Sequence, residues 1–139
     1  MPFQDQYTLL NSVAECRVIS SATEFSLEKQ LTNFLSRLTR KAGWKYLRID
    51  TTDQQGFPDI LLLKRDTYWQ IEAKLLKKKR LVSLENDLRY EFGQVAYMKR
   101  AFTLGLNYML VVSKGSKIAF IKGIPPNETQ CSDYPDFIR

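Results

Sequence analysis

A chain of 139 residues, 44% apolar and 26% charged, has the length of one domain that buries roughly two-thirds of its unfolded surface, and its composition excludes a disordered or low-complexity chain. Lys and Arg (21) outnumber Asp and Glu (15), for a formal net charge of +6, and a cationic excess on a small domain points to a polyanionic partner, nucleic acid above all. Histidine is absent, which excludes serine–histidine and cysteine–histidine hydrolases, histidine-liganded zinc and histidine acid–base chemistry; catalysis would have to use carboxylates, lysine, tyrosine or a hard metal.

No apolar run approaches the roughly 18 to 20 residues of a membrane span, and the N-terminal MPFQDQYTLL lacks the basic and apolar regions of a secretion signal. These features predict a cytoplasmic protein, or one of the host-cell cytoplasm if virally encoded, with no membrane partner. Cys16 and Cys131 stand alone, without the spacing of a disulfide framework or a thiolate zinc site.

Residues 1–20 carry no decisive pattern; CRVIS is compatible with a short strand or a lead-in. From Ser21, hydroxyl residues suited to capping precede Leu27, Leu31, Phe34, Leu35, Leu38 and Ala42 at helical spacing, and Gly43 follows as a stop. This predicts a first helix, with Glu28 on the rim of its apolar sector and Glu24, if helical, near the middle. WKYLRID (44–50) alternates as a strand does, and PDILLLK and YWQIEAKLL are two more strand-like runs separated by Arg65-Asp66-Thr67. Three successive strands predict an antiparallel meander. A cationic loop, KKKR, comes next, then a second helix over about 84–104 with Phe92, Val95 and Phe102 at helical spacing and Gly105 at its end. YMLVVS (108–113) and KIAFIK read as further strands, and the tail beyond Pro125-Pro126 as irregular. The order predicts an α/β fold, a mixed central sheet flanked by helices.

Within the meander, Glu72 and Lys74 are two residues apart and so emerge from one face of their strand, roughly 7 Å apart. If residues 59–64 and 69–74 pair around Asp66-Thr67, Arg65 faces Tyr68 and Asp59 faces Lys74, which puts Asp59 on the face of Glu72. Two carboxylates and an ammonium then converge. Carboxylate repulsion is relieved by a hard divalent cation, and oxygen ligands of this kind, with the Ala73 backbone carbonyl as a further donor, suit magnesium, with manganese as a substitute. Such an ion polarises a phosphodiester and lowers the pKa of a bound water, while Lys74 orients or activates that water. The competing explanation is a surface salt-bridge cluster.

Gly56-Phe57-Pro58-Asp59 followed by Glu72-Ala73-Lys74 resembles the PD-(D/E)xK nuclease signature, and Gly-x-Pro-Asp with Ile-Glu-x-Lys is most similar to the VRR-NUC group and the archaeal Holliday-junction resolvases. The resemblance covers about residues 24–113, leaving both termini unassigned. It implies a restriction-endonuclease-like core of helix, three-strand antiparallel meander, helix and strand. It also implies a magnesium-dependent DNA endonuclease selective for branched DNA, acting as a homodimer. By the same resemblance Glu28, in Glu28-Lys29-Gln30-Leu31, is the outer-shell or metal-coupled acid, with Glu24 its rival. Asp59 and Glu72 are then metal ligands and Lys74 the catalytic cation. Gln94, in EFGQVAYMKRA, stands where those families carry a helical glutamine, although the connection from Lys74 is long.

Lys77, Lys78, Lys79 and Arg80 follow the catalytic strand directly and, with Lys99 and Arg100, are candidates for gripping a nucleic-acid backbone; alone, a charge run of this kind is as compatible with a solvated loop. Trp44, Tyr46, Trp69, Phe92 and Phe102 sit within strand and helix patterns and are expected in the core rather than on bases. Gly56 and Gly115 form no phosphate-binding glycine loop, so no nucleotide cofactor is indicated. The alternatives are a nickase or restriction-type nuclease on duplex or single-stranded DNA, a non-catalytic DNA-binding module on a nuclease-like scaffold, and a basic protein-binding scaffold.

Overall fold

The structure, a computed structural model, describes residues 15–49, 57–76 and 93–122. Its elements in chain order are β1 (Glu15–Ser20), α1 (Glu28–Lys41), β2 (Lys45–Arg48), β3 (Ile60–Lys64), β4 (Thr67–Leu76), α2 (Gln94–Thr103), β5 (Tyr108–Lys114) and β6 (Lys117–Lys122). The strands form one six-stranded sheet in the order β1-β6-β5-β4-β3-β2. Among the described strands only β4 and β5 pair in parallel, as a connection through a helix allows; short turns join the antiparallel neighbours β3–β4 and β5–β6. The fold is therefore the mixed α/β sheet with a helix, meander, helix and strand core expected from the sequence. It extends past that core at one edge, where CRVIS lies in β1 and pairs with β6.

Among the described residues each face of the sheet carries one helix. Leu31, Leu35 and Leu38 of α1 pack with Ile60, Leu62, Trp69, Ile71, Ala73, Met109, Val111 and Phe120. Met98 and Ala101 of α2 pack on the other face with Leu76, Leu110, Val112, Ala119 and Ile121. Successive residues of β5 from Tyr108 to Val112 alternate between the two cores, and that is why YMLVV is apolar throughout: a strand covered on both faces has no polar side to show. Trp44 and Trp69 are core residues as expected, whereas Tyr46 and Phe102 are only half-buried and Phe92 lies outside the described residues.

α1 starts at Glu28, seven residues after Ser21, and no hydroxyl caps it. The Gln30 Oε1 atom accepts from the backbone N–H groups of Ser26 (2.8 Å) and Leu27 (3.1 Å), the glutamine half of a capping box. Leu27, expected on the apolar face, is instead the exposed N-cap, and Glu24 is not helical. The C-terminus closes as predicted. Gly43 takes φ 90°, its N–H donates to Arg40 O and that of Trp44 to Thr39 O, each at 3.0 Å, the paired bonds of a Schellman motif.

The β3–β4 register corrects the expected one. Lys64 pairs with Thr67 and Ile60 with Ile71, so the two-residue loop is Arg65-Asp66, with Arg65 at φ 55°, and not Asp66-Thr67. A shift of two residues preserves the faces: Asp59 remains on the side of Glu72, but the continued register places it opposite Glu72 rather than Lys74. In α2 the buried positions are Gln94, Met98 and Ala101, with Val95 and Phe102 half-buried; the expected apolar spacing picked the flanks of the packed face.

Candidate active site

β4 supplies a row of three polar side chains, Gln70, Glu72 and Lys74, on the face covered by α2. Every second residue of a strand shares a face, and the intervening Trp69, Ile71 and Ala73 belong to the opposite core. Two residues one turn apart on α2 meet this row. The Tyr97 hydroxyl donates to Gln70 Oε1 (3.0 Å), and Gln94 bridges the other pair: its Nε2 donates to Glu72 Oε1 and its Oε1 accepts from Lys74 Nζ, both at 2.8 Å. The amide is oriented by charge, with its N–H toward the carboxylate and its oxygen toward the ammonium. Lys74 Nζ is also 3.8 Å from Glu72 Oε1.

Glu72 is 2% exposed, and its second oxygen, Oε2, is buried without a hydrogen-bond partner among the described residues. Burial, with the negative charge of Asp59 next, raises its pKa from the ordinary 4.5 to about 7; the Lys74 ammonium and the nearby Asp59 backbone N–H oppose the rise, and Glu28 adds slightly to it. Asp59 is half-buried at the bend leading into β3, and the Phe57 ring two residues before it packs on Tyr97 at 5.6 Å between centroids. The strand that presents Asp59 is thereby held to the helix that presents Gln94.

Peptide groups alternate in direction along a strand. The N–H of Gln70 donates to Asn107 O, on the β5 side, so the peptide groups of Ile71 and Ala73 point toward β3. Ile71 finds Ile60 there. Continuing the register sets Pro58 opposite Ala73, and proline has no N–H to give. The proline of the Pro-Asp motif thus ends the ladder at Ala73, to whose carbonyl it has no N–H to donate.

Of the residues singled out in the sequence, Glu72, Lys74 and Gln94 form one hydrogen-bonded unit. Asp59 and Glu28 act on Glu72 through their charges. Glu28 is the exposed first residue of α1, whereas Glu24 lies toward the β5–β6 turn, near Gly115. Lys99 and Arg100 are exposed on α2; Lys77, Lys78, Lys79 and Arg80 lie outside the described residues. The sequence reading missed Gln70, Tyr97 and the part played by Pro58. The signal for the first two was available, since polar residues at 70, 72 and 74 share a strand face and residues 94 and 97 share a helix face.

Among the described residues no three carboxylate or thiol side chains gather as a metal cage. A cation would draw on Asp59, Glu72, the Ala73 carbonyl and water. That donor set fits magnesium, which retains several waters and takes one or two carboxylates, better than it fits calcium, and Glu72 Oε2 is the buried oxygen available to it.

No protein-family model matches the chain, and no curated protein matches it. Among solved structures it is similar to that of Hjc, a Holliday junction resolvase from the archaeal hyperthermophile Archaeoglobus fulgidus, at a TM-score of 0.42 and 22% identity, over 61% of this chain and 67% of that one. A likeness of this size concerns the chain path and says nothing about chemistry.

Proposed function

We propose that the chain is a magnesium-dependent DNA endonuclease that hydrolyses phosphodiester bonds at the site formed by Asp59, Glu72 and Lys74. The observation that carries this is the Glu72–Gln94–Lys74 unit, in which a buried carboxylate keeps one oxygen without a hydrogen-bond partner among the described residues. A salt-bridge cluster built only for stability would satisfy both oxygens, because an unmet buried acceptor costs about 1–3 kcal/mol. Asp59 and Glu72 would hold the ion, with the Ala73 carbonyl. Magnesium bound there supplies a Lewis acid that stabilises charge developing on the phosphate and lowers the pKa of water.

The chain's own residues do the rest. Lys74, held at Nζ by Gln94 Oε1, presents its ammonium at a fixed point, where it orients the attacking water and offsets negative charge in the transition state. Gln94 sets the distance between Lys74 and Glu72 and keeps Glu72 Oε1 occupied, which leaves the buried Oε2 as the oxygen that would ligate the ion. Selectivity for branched DNA and a homodimeric assembly follow from the motif's resemblance to the junction resolvases. Lys99 and Arg100, with the cationic run at 77–80, would contribute phosphate contacts.

The test is a cleavage panel of four-way junction, flap, linear duplex and single-stranded DNA, with and without magnesium, for wild type and Lys74→Ala. Magnesium-dependent cutting, fastest on the junction and lost in Lys74→Ala, is expected. Salt-sensitive binding with no cutting of any substrate would identify a DNA-binding module instead.

A further inference from the structure

The exposed side of α1 and the edge strand β2 enclose a groove of about 620 Å³. On the helix it is lined by Lys29, Asn33, Ser36 and Arg40, whose spacing of four, three and four residues makes one stripe along the helix. On the strand it is lined by Tyr46 and Arg48. Three cations face the groove against one acid, Glu28, so its charge favours an anion. An edge strand is commonly protected by charged residues, but Arg48 does more than project from the edge. The Arg40 guanidinium lies 6.0 Å from the Tyr46 ring centroid, and Arg48 hydrogen-bonds the Tyr46 side chain. Two guanidinium groups from different elements are thus gathered on one half-buried tyrosine, an arrangement that reduces the side-chain entropy lost on gripping an anion.

The groove adjoins the candidate active site. Glu28, at its end, acts electrostatically on Glu72, and the charge of Asp59 reaches Tyr46. From Lys29 to Arg40 the helix rises about 16 Å, equivalent to about five phosphates of one strand along a B-DNA axis. The groove is polar, and its amide and hydroxyl groups are the usual partners of phosphate oxygens.

We propose that the α1–β2 groove is a second DNA-contact site, which holds the sugar–phosphate backbone of the duplex arm beyond the scissile phosphate, with Arg40 and Arg48 as its phosphate ligands. The proposal rests on the nuclease function above for its choice of DNA, but its test does not require cleavage.

A fluorescently labelled duplex is titrated in EDTA by anisotropy over a range of NaCl, with wild type, Arg40→Gln/Arg48→Gln, Arg40→Lys/Arg48→Lys and Arg65→Gln. Arg65 lies in the β3–β4 loop, about 20 Å along β4 from Glu72. At about 0.9 per phosphate contact, the double glutamine variant loses about 1.8 from the slope of log K against log salt and binds roughly 60-fold more weakly at 0.1 M. The double lysine variant retains the wild-type slope, which separates charge from any effect on folding, and Arg65→Gln moves it by less than about 0.5. An unchanged slope in the double glutamine variant, an equal loss per charge in Arg65→Gln, or no binding by wild type overturns the proposal. Loss of slope in a wild-type background that cuts nothing under magnesium retains the groove and removes the nuclease function; magnesium-dependent cutting with an unchanged slope does the reverse.

Discussion

Replacing Glu72 with glutamine should abolish cleavage and, without metal, stabilise the protein. Glutamine is close in shape to the protonated carboxyl and still accepts from Gln94 Nε2, so the substitution removes the buried charge and little else. In the folded state the Glu72 pKa lies at about 7 against an ordinary 4.5, raised first by burial and then by Asp59. At 1.36 kcal/mol per pH unit, ionising Glu72 inside the protein costs about 3 kcal/mol. The folded chain binds this proton more tightly than the unfolded chain. Its contribution to stability is therefore fully present below about pH 4.5 and is lost as pH rises toward 7. The Glu72→Gln variant lacks this dependence, so its advantage over wild type grows from near zero at pH 4.5 to about 3 kcal/mol at pH 8, or roughly 10 °C in Tm for a chain of this size. Calorimetry of both proteins in EDTA from pH 4.5 to 8 measures the difference, in which other titrating groups cancel. Added magnesium should stabilise wild type and narrow the gap. A variant less stable than wild type at pH 8, or a gap independent of pH, would show that the Glu72 charge is already compensated and that no cation is needed there.

Gln94→Leu removes both bonds of the bridge and strips Glu72 Oε1 of its donor, for an expected loss of about 1–3 kcal/mol in denaturant unfolding, largest above pH 7 where Glu72 is ionised. Lys74→Met should lower single-turnover cleavage by about 10²- to 10⁴-fold while leaving duplex affinity within a few-fold, since one side chain is lost from the phosphate but not the groove. Magnesium at 100 times its Kd should stabilise wild type by about 2.7 kcal/mol, read as a thermal shift, and should do nothing for Asp59→Asn.

The elements that bury a repeating face were legible. Leu31, Leu35 and Leu38 marked α1, and Gly43 marked its end because only glycine takes φ 90° there without strain. The start of α1 was obscured because its cap comes from Gln30, inside the helix, while the serines and threonine upstream have ordinary cap chemistry but no helix to close. The register of the β3–β4 hairpin depends on which two residues form the loop; Arg65 at positive φ is not a residue that advertises this, as glycine or asparagine would. Face parity survives an even shift, so Asp59 keeps to the face of Glu72 and Lys74 although the expected pairing was inexact. In α2 the chemistry hid the face: Gln94 occupies a buried position because it bridges two charges, and its polarity argued against burial when only apolar spacing was counted. The α1–β2 groove joins residues 29–40 to residues 46 and 48 across a turn, a proximity that periodicity within one element cannot reveal.

The most direct test of the metal site is anomalous diffraction from a crystal soaked in manganese. A single strong peak bonded to the carboxylates of Asp59 and Glu72, with Lys74 Nζ still held by Gln94, is the expected result. A peak elsewhere, or none near Glu72 Oε2 at saturating manganese, would contradict the assignment of these residues to phosphodiester hydrolysis.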